Sequence, residues 1–121
     1  MLSGTSYDAV DAAAAEFRFE GREIVLRPLG LHTEPYPHWL REQITASLPP
    51  APTTLERVCR LDTGLGRFFG EVAARANAAY AASSAELVVS HGQTVYHWVE
   101  GPSARGTLQL GGAAWIAEAT G

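Results

Sequence analysis

Lysine is missing from the sequence: all nine basic residues are arginine. Within this chain that excludes a P-loop lysine, a pyridoxal Schiff base and a lysine nucleophile. Any grip on phosphate must come from backbone N–H groups, hydroxyls, arginine or metal. Cysteine is nearly missing too. The single Cys59 cannot close an internal disulfide, which fits a reducing, cytoplasmic setting, and a thiolate-built zinc site lacks its ligands. His32, His38 and His97 show no metal-binding spacing either. The net charge of −4 and the scattered arginines give no footprint for nucleic acid. No apolar run approaches the roughly 20 residues that span a bilayer, so no membrane partner is expected. The first residues carry neither a basic stretch nor an apolar block, and no signal peptide is expected.

What is there fits one compact α/β domain of 121 residues. Residues 1–8 are small, polar and turn-like. Residues 9–20 read as a strand on the alternation of Phe17-Arg18-Phe19, although four alanines favour helix by propensity. Glu20-Gly21-Arg22 reads as a hairpin connection into a strand from Glu23 to about Leu31. His32 to Pro37 is expected to be a loop. Trp39, Leu40, Gln43, Ile44 and Leu48 have helical spacing, and the prolines at 49, 50 and 52 end that helix. Thr53 with Glu56 forms a capping-box pattern ahead of a long helical stripe from Leu55 to Tyr80, in which Phe68, Phe69 and Tyr80 read as core. Gly64, Gly66 and Gly70 predict either a break or close packing there. Glu86 to Val89 reads as a buried strand, Thr107 to Leu110 as another, and Ala113 to Ala119 as a helix opened by Gly111-Gly112.

Three segments carry candidate chemistry. In Ser3-Gly4-Thr5-Ser6-Tyr7-Asp8-Ala9-Val10-Asp11, a glycine among hydroxyls lets a turn aim several N–H groups at one anion. Asp8 and Asp11 could hold Mg²⁺ through water. The same residues also fit an ordinary polar turn in which the aspartates only cap. Ser90-His91-Gly92-Gln93-Thr94 follows an expected buried strand, where ligands of open α/β sheets gather. His91 and Gln93 offer directional hydrogen bonds and Gly92 allows close approach, which suits a polyhydroxylated ligand; a strand-ending turn is the alternative. A serine-hydrolase elbow is excluded, because Val88 stands where that motif needs glycine. Leu108-Gln109-Leu110-Gly111-Gly112 can bring backbone amides to a helix N-terminus, but it lacks the third glycine of the dinucleotide fingerprint. Trp98 and Trp115 fit aromatic walls of a sugar site or simple packing.

Together these segments resemble the anhydro-N-acetylmuramic acid kinase family. Leu2 to Asp11 is similar to its Met-Ser-Gly-Thr-Ser-Leu-Asp-Gly-Val-Asp motif. Ser90 to Thr94 matches its Ser-His-Gly-Gln-Thr segment. Leu108 to Gly111 and Ile116 to Gly121 match a Leu-Gln-Ile-Gly stretch and an Ile-Ala-Glu-x-Thr-Gly helix end. Tyr7 replaces the family's Leu, Ala9 its Gly and Gly112 its frequent Asp.

The resemblance implies a ribonuclease H-like, actin-like ATPase fold: a mixed sheet with flanking helices, residues 1–121 forming part of the first lobe. It further implies that the first strand and second lobe lie outside the sequence. The implied cofactors are ATP and Mg²⁺. Gly4 to Asp11 would hold ATP, and Ser90 to Thr94 with Gln109 would hold an anhydro-muramic sugar. The catalytic aspartate is expected beyond Thr120-Gly121, leaving no catalytic residue here. The resemblance also implies a homodimeric full-length protein. Another sugar kinase of the same superfold, or a non-catalytic actin- or Hsp70-like nucleotide-binding module, are the alternatives.

Overall fold

A computed structural model describes residues 1–4 and 6–121, so Thr5 of the expected phosphate turn lies outside the described residues. The chain runs β1 (Leu2–Ser3), β2 (Ala9–Glu20), β3 (Glu23–Pro35), α1 (His38–Ser47), α2 (Leu55–Tyr80), β4 (Gln93–Glu100), β5 (Ser103–Leu110) and α3 (Ala113–Thr120). Two antiparallel sheets result, β1-β2-β3 and the β4-β5 hairpin.

The alanine-rich stretch is strand, as its alternation predicts. Val10 and Ala12 point into the core, and β3 supplies a partner for every residue of β2. Tertiary pairing overrides a propensity worth at most a few tenths of a kcal/mol per residue. Small residues here also let α2 approach: the Tyr80 ring lies against Gly30, and its hydroxyl donates to the Leu31 carbonyl at 2.9 Å. Past that contact the β2-β3 ribbon leaves Phe17, Phe19, Ile24 and Leu26 more than half exposed.

The core is the buried stripe of α2. Leu61, Leu65, Phe68, Phe69, Val72 and Ala76 meet Val10 of β2, Leu40 and Ile44 of α1, Leu110 of β5 and Ile116 of α3. Each fully buried side chain of this size contributes roughly 1.5–3 kcal/mol. The helix does not break at its glycines. Gly66 faces the Trp115 ring, and a Cβ on Gly70 would stand 2.8 Å from the Trp115 carbonyl oxygen, so the glycines serve close packing of α3 on α2. Arg67 then lies over the Trp115 ring, 4.5 Å from its centroid. Trp115 thus packs between α3 and α2.

Several expectations are corrected. The loop expected from His32 begins only after Pro35, because Thr33 and Glu34 pair with Asp11 and Val10. The cap of α2 is Thr54, whose hydroxyl accepts from Arg57 N at 3.2 Å, not Thr53. β5 starts at Ser103 rather than Thr107, and β4, unexpected from the sequence, is its partner. Glu86 to Val89 is not a buried strand: Leu87 is 79% and Val89 65% exposed. Its continuation lies beside Met1, whose N donates to Val89 O at 2.5 Å and whose carbonyl accepts from His91 N at 3.2 Å. That is the bond pattern of a parallel pair.

Candidate phosphate and sugar site

β1 leads directly into the hydroxyl-rich turn. Tyr7 N donates to Gly4 O at 3.2 Å and closes it, with Tyr7 itself at φ 41°. A positive φ on a tyrosine is strained, and such strain gathers at ligand clamps. Ala9, standing where the family carries glycine, opens β2 and needs no such freedom. Ser6 Oγ donates to Asp8 Oδ1 at 2.7 Å, and Ala9 N donates to the same oxygen at 3.0 Å. The Ser6 hydroxyl first, then backbone N–H groups, hold the exposed Asp8 carboxyl below the usual carboxylate range. Asp8 is therefore ionised at neutral pH and free to meet a hydrated cation.

Asp11 points outward from β2, where its Oδ1 accepts from Thr33 Oγ1 at 2.6 Å. The Val10 side chain is fully buried in the core. Among the described residues no group of three or more His, Cys, Asp or Glu forms a metal cage. Exposed carboxylate oxygens without a cage fit Mg²⁺, which keeps several waters and takes much of its shell from phosphate.

The second motif reaches the turn through a buried polar knot. Ser3 Oγ donates to Gln93 Oε1 at 2.5 Å, and Tyr36 OH donates to Ser3 Oγ at 2.8 Å, with Gln93 Oε1 3.1 Å away. Gln93 Nε2 donates to Thr94 O at 3.1 Å and reaches Gly4 O at 3.5 Å. Ser3 and Gln93 are 6% and 1% exposed, so unpaired they would be costly. Burial pushes the Tyr36 hydroxyl up to about 12 against the opposing pull of its Ser3 bond. The Gln93 side chain is thus turned inward.

A shallow groove of about 390 Å³ lies on one face of the β4-β5 hairpin: His91, Thr94, His97, Arg105, Thr107 and Gln109 are among its walls. Gly92 packs closely beside the groove wall Gln109 and its neighbour Leu110. Its φ is +74°, and a Cβ there would stand 2.7 Å from Leu110 O. Its N donates to Ser90 Oγ at 3.2 Å, which holds the motif's bend. Gln109 Nε2 donates to Thr94 Oγ1 at 3.2 Å and Thr107 Oγ1 at 2.7 Å. At the base, Gly111 N donates to Asp62 Oδ1 at 2.8 Å, so α2 anchors the start of α3.

Sequence reasoning placed Ser90, His91, Gly92, Gln93, Thr94 and Gln109 in one neighbourhood; the structure brings His91, Thr94 and Gln109 to one groove and turns the Gln93 side chain into the core. It missed Tyr36, His97, Arg105, Thr107 and Asp62. Alternation of Arg105, Thr107 and Gln109 on one strand face was the available signal. Tyr36, flanked by Pro35 and Pro37, was hidden in an expected loop.

Fold and site define an α/β protein in which a hydroxyl-rich turn and a polar groove share one buried hinge of hydrogen bonds. The family model for anhydro-N-acetylmuramic acid kinase matches residues 1–121. A Rhodococcus erythropolis protein named anhydro-N-acetylmuramic acid kinase is 58% identical over the whole chain, and a Streptomyces coelicolor protein of the same name 60%. A same-named Acaryochloris marina protein is 41% identical. The chain belongs to the anhydro-N-acetylmuramic acid kinase family. It spans about 30% of the length of these relatives (30%, 31% and 32%).

Proposed function

We propose that this chain supplies part of the active site of an ATP-dependent kinase acting on anhydro-N-acetylmuramic acid in cell-wall recycling. Water would add its oxygen to the anomeric carbon and lose one proton to a general base, its other proton staying on the new anomeric hydroxyl. The 1,6-bridge oxygen would leave that carbon and take the γ-phosphoryl group of ATP, giving N-acetylmuramic acid 6-phosphate and ADP. ATP supplies the phosphoryl group, and Mg²⁺ offsets its charge. Gly4, Thr5, Ser6 and the ionised Asp8 would hold the phosphate end, Asp8 and Asp11 reaching the cation through water. Ser90, His91, Thr94 and Gln109 would orient the sugar. We place the general base outside these 121 residues and the whole in an actin-like lobe of a cytoplasmic enzyme, so the chain alone is inactive.

The observation that carries this reading is the Ser3–Tyr36–Gln93 knot, which ties the two motif segments together through buried hydrogen bonds. Positioning of this kind is most of what phosphoryl transfer asks of a protein. No helix among the described residues is long and apolar enough to cross a membrane. The test is an exchange chimera, in which these 121 residues replace the matching segment of the Streptomyces coelicolor relative. We expect ADP release that depends on anhydro-N-acetylmuramic acid and not on glucose. A folded chimera with no sugar-dependent ADP release would refute the reading.

A further inference from the structure

We propose that the Arg105 end of the hairpin groove binds a carboxylate carried by the sugar, and that this contact sets which sugar the site accepts. The proposal rests on the sugar-kinase reading above and adds to it a specificity-determining residue. β5 alternates Arg105, Thr107 and Gln109 onto the groove, facing His97 and Thr94 of β4 through the pairs His97↔Thr107 and Thr94↔Gln109. Arg105 sits at a register shift: Trp98 pairs with Gly106 and Val99 with Ala104, which leaves Arg105 without a partner on β4. A bulge of this kind re-aims a side chain, and bulges gather beside binding sites.

The hydrogen-bond polarity points the same way. The Gln109 amide donates to both Thr94 Oγ1 and Thr107 Oγ1. Each hydroxyl already accepts, so its own proton is left to donate toward the groove. Two hydroxyl donors and a guanidinium therefore line the same groove, and no carboxylate of the described residues is among its walls. Glu100 approaches Arg105 Nε at 3.4 Å from outside, but both side chains are 56% exposed. Such a pair is water-screened and readily shared. A ligand bearing only hydroxyls gains little from this donor set, whereas a carboxylate gains a charge-assisted, geometrically matched partner. N-acetylmuramic acid differs from N-acetylglucosamine by a lactyl ether ending in a carboxylate. The groove thus fits the acidic amino sugar over the neutral one.

The experiment compares 1,6-anhydro-N-acetylmuramic acid with 1,6-anhydro-N-acetylglucosamine in the exchange chimera and in its Arg105→Gln and Arg105→Lys variants. Arg105→Gln should raise KM for the acidic sugar roughly tenfold to a hundredfold, the range of a charge-assisted hydrogen bond, with kcat little changed. KM for the neutral sugar should stay put, and Arg105→Lys should recover part of the loss. Unchanged discrimination in Arg105→Gln, or an equal rise in both KM values, overturns the proposal while leaving the kinase reading intact. A folded parent chimera inactive on both sugars removes the kinase reading itself, and this proposal with it.

Discussion

Ser3 Oγ donates to Gln93 Oε1 at 2.5 Å across ninety positions of sequence, inside the core. This bond places the strand that enters the hydroxyl-rich turn beside the strand that starts the polar groove. Gln93→Leu would leave the Ser3 and Tyr36 hydroxyls buried without their shared acceptor. We expect a loss of about 2–4 kcal/mol, read from urea midpoints of the chimera. Ser3→Ala should cost about 1 kcal/mol, and the double variant should cost less than the sum, because the groups form one network. Additive losses would show that the knot is not a unit.

Tyr36 gives the knot a pH signature. Its folded-state pKa is about 12, above the value near 10 of an unfolded tyrosine. The folded protein keeps this proton while the unfolded chain releases it, so stability is complete below pH 10 and falls as pH rises toward 12. Urea midpoints at pH 8, 10 and 11.5 should decline, and Tyr36→Phe should remove part of that decline. An identical slope in the variant would assign the effect to other groups.

Gly70→Ala sets helix propensity against packing. Alanine favours an exposed helix by about 1 kcal/mol over glycine. Here its Cβ would stand 2.8 Å from Trp115 O and 2.9 Å from the Ala119 Cβ. We expect net destabilisation of about 1–3 kcal/mol by thermal melting, with α3 displaced from α2. A rise in Tm would mean that α3 does not pack as described.

Gly92→Ala attacks the close packing of the motif's bend against β5. Positive φ and the 2.7 Å approach to Leu110 O both oppose a side chain, at a cost of about 1–3 kcal/mol. Because β5 must shift to make room, KM for the sugar should rise more than KM for ATP. Equal changes in the two would place this bend outside the sugar site.

Much of this was legible in the sequence because one periodicity dominated each element. The stripe Leu61, Leu65, Phe68, Val72 and Ala76 gave α2, and Phe17-Arg18-Phe19 with Gly21 gave the first hairpin. β4 was not legible. Register shifts at Thr94/Tyr96 and Trp98/Val99 break its alternation, so polar and apolar residues no longer fall on alternate positions. Leu87-Val88-Val89 misled for the opposite reason: an apolar run promised burial, but its described pairing is with Met1. The motif residues announced their chemistry by type, yet type could not say that Gln93 turns inward while Thr94 faces the groove. Arg105 became a candidate only when the hairpin register put it beside Thr107.

Steady-state kinetics of Ser3→Ala in the exchange chimera address the joint between turn and groove most directly. Ser3 need touch neither ligand, so any effect must travel through Gln93 and Tyr36. With the variant folded, kcat/KM for MgATP and for anhydro-N-acetylmuramic acid should fall together, by roughly tenfold or more. If both stay within about twofold of the parent while only stability drops, the knot is a structural feature and the two motifs do not work as one site.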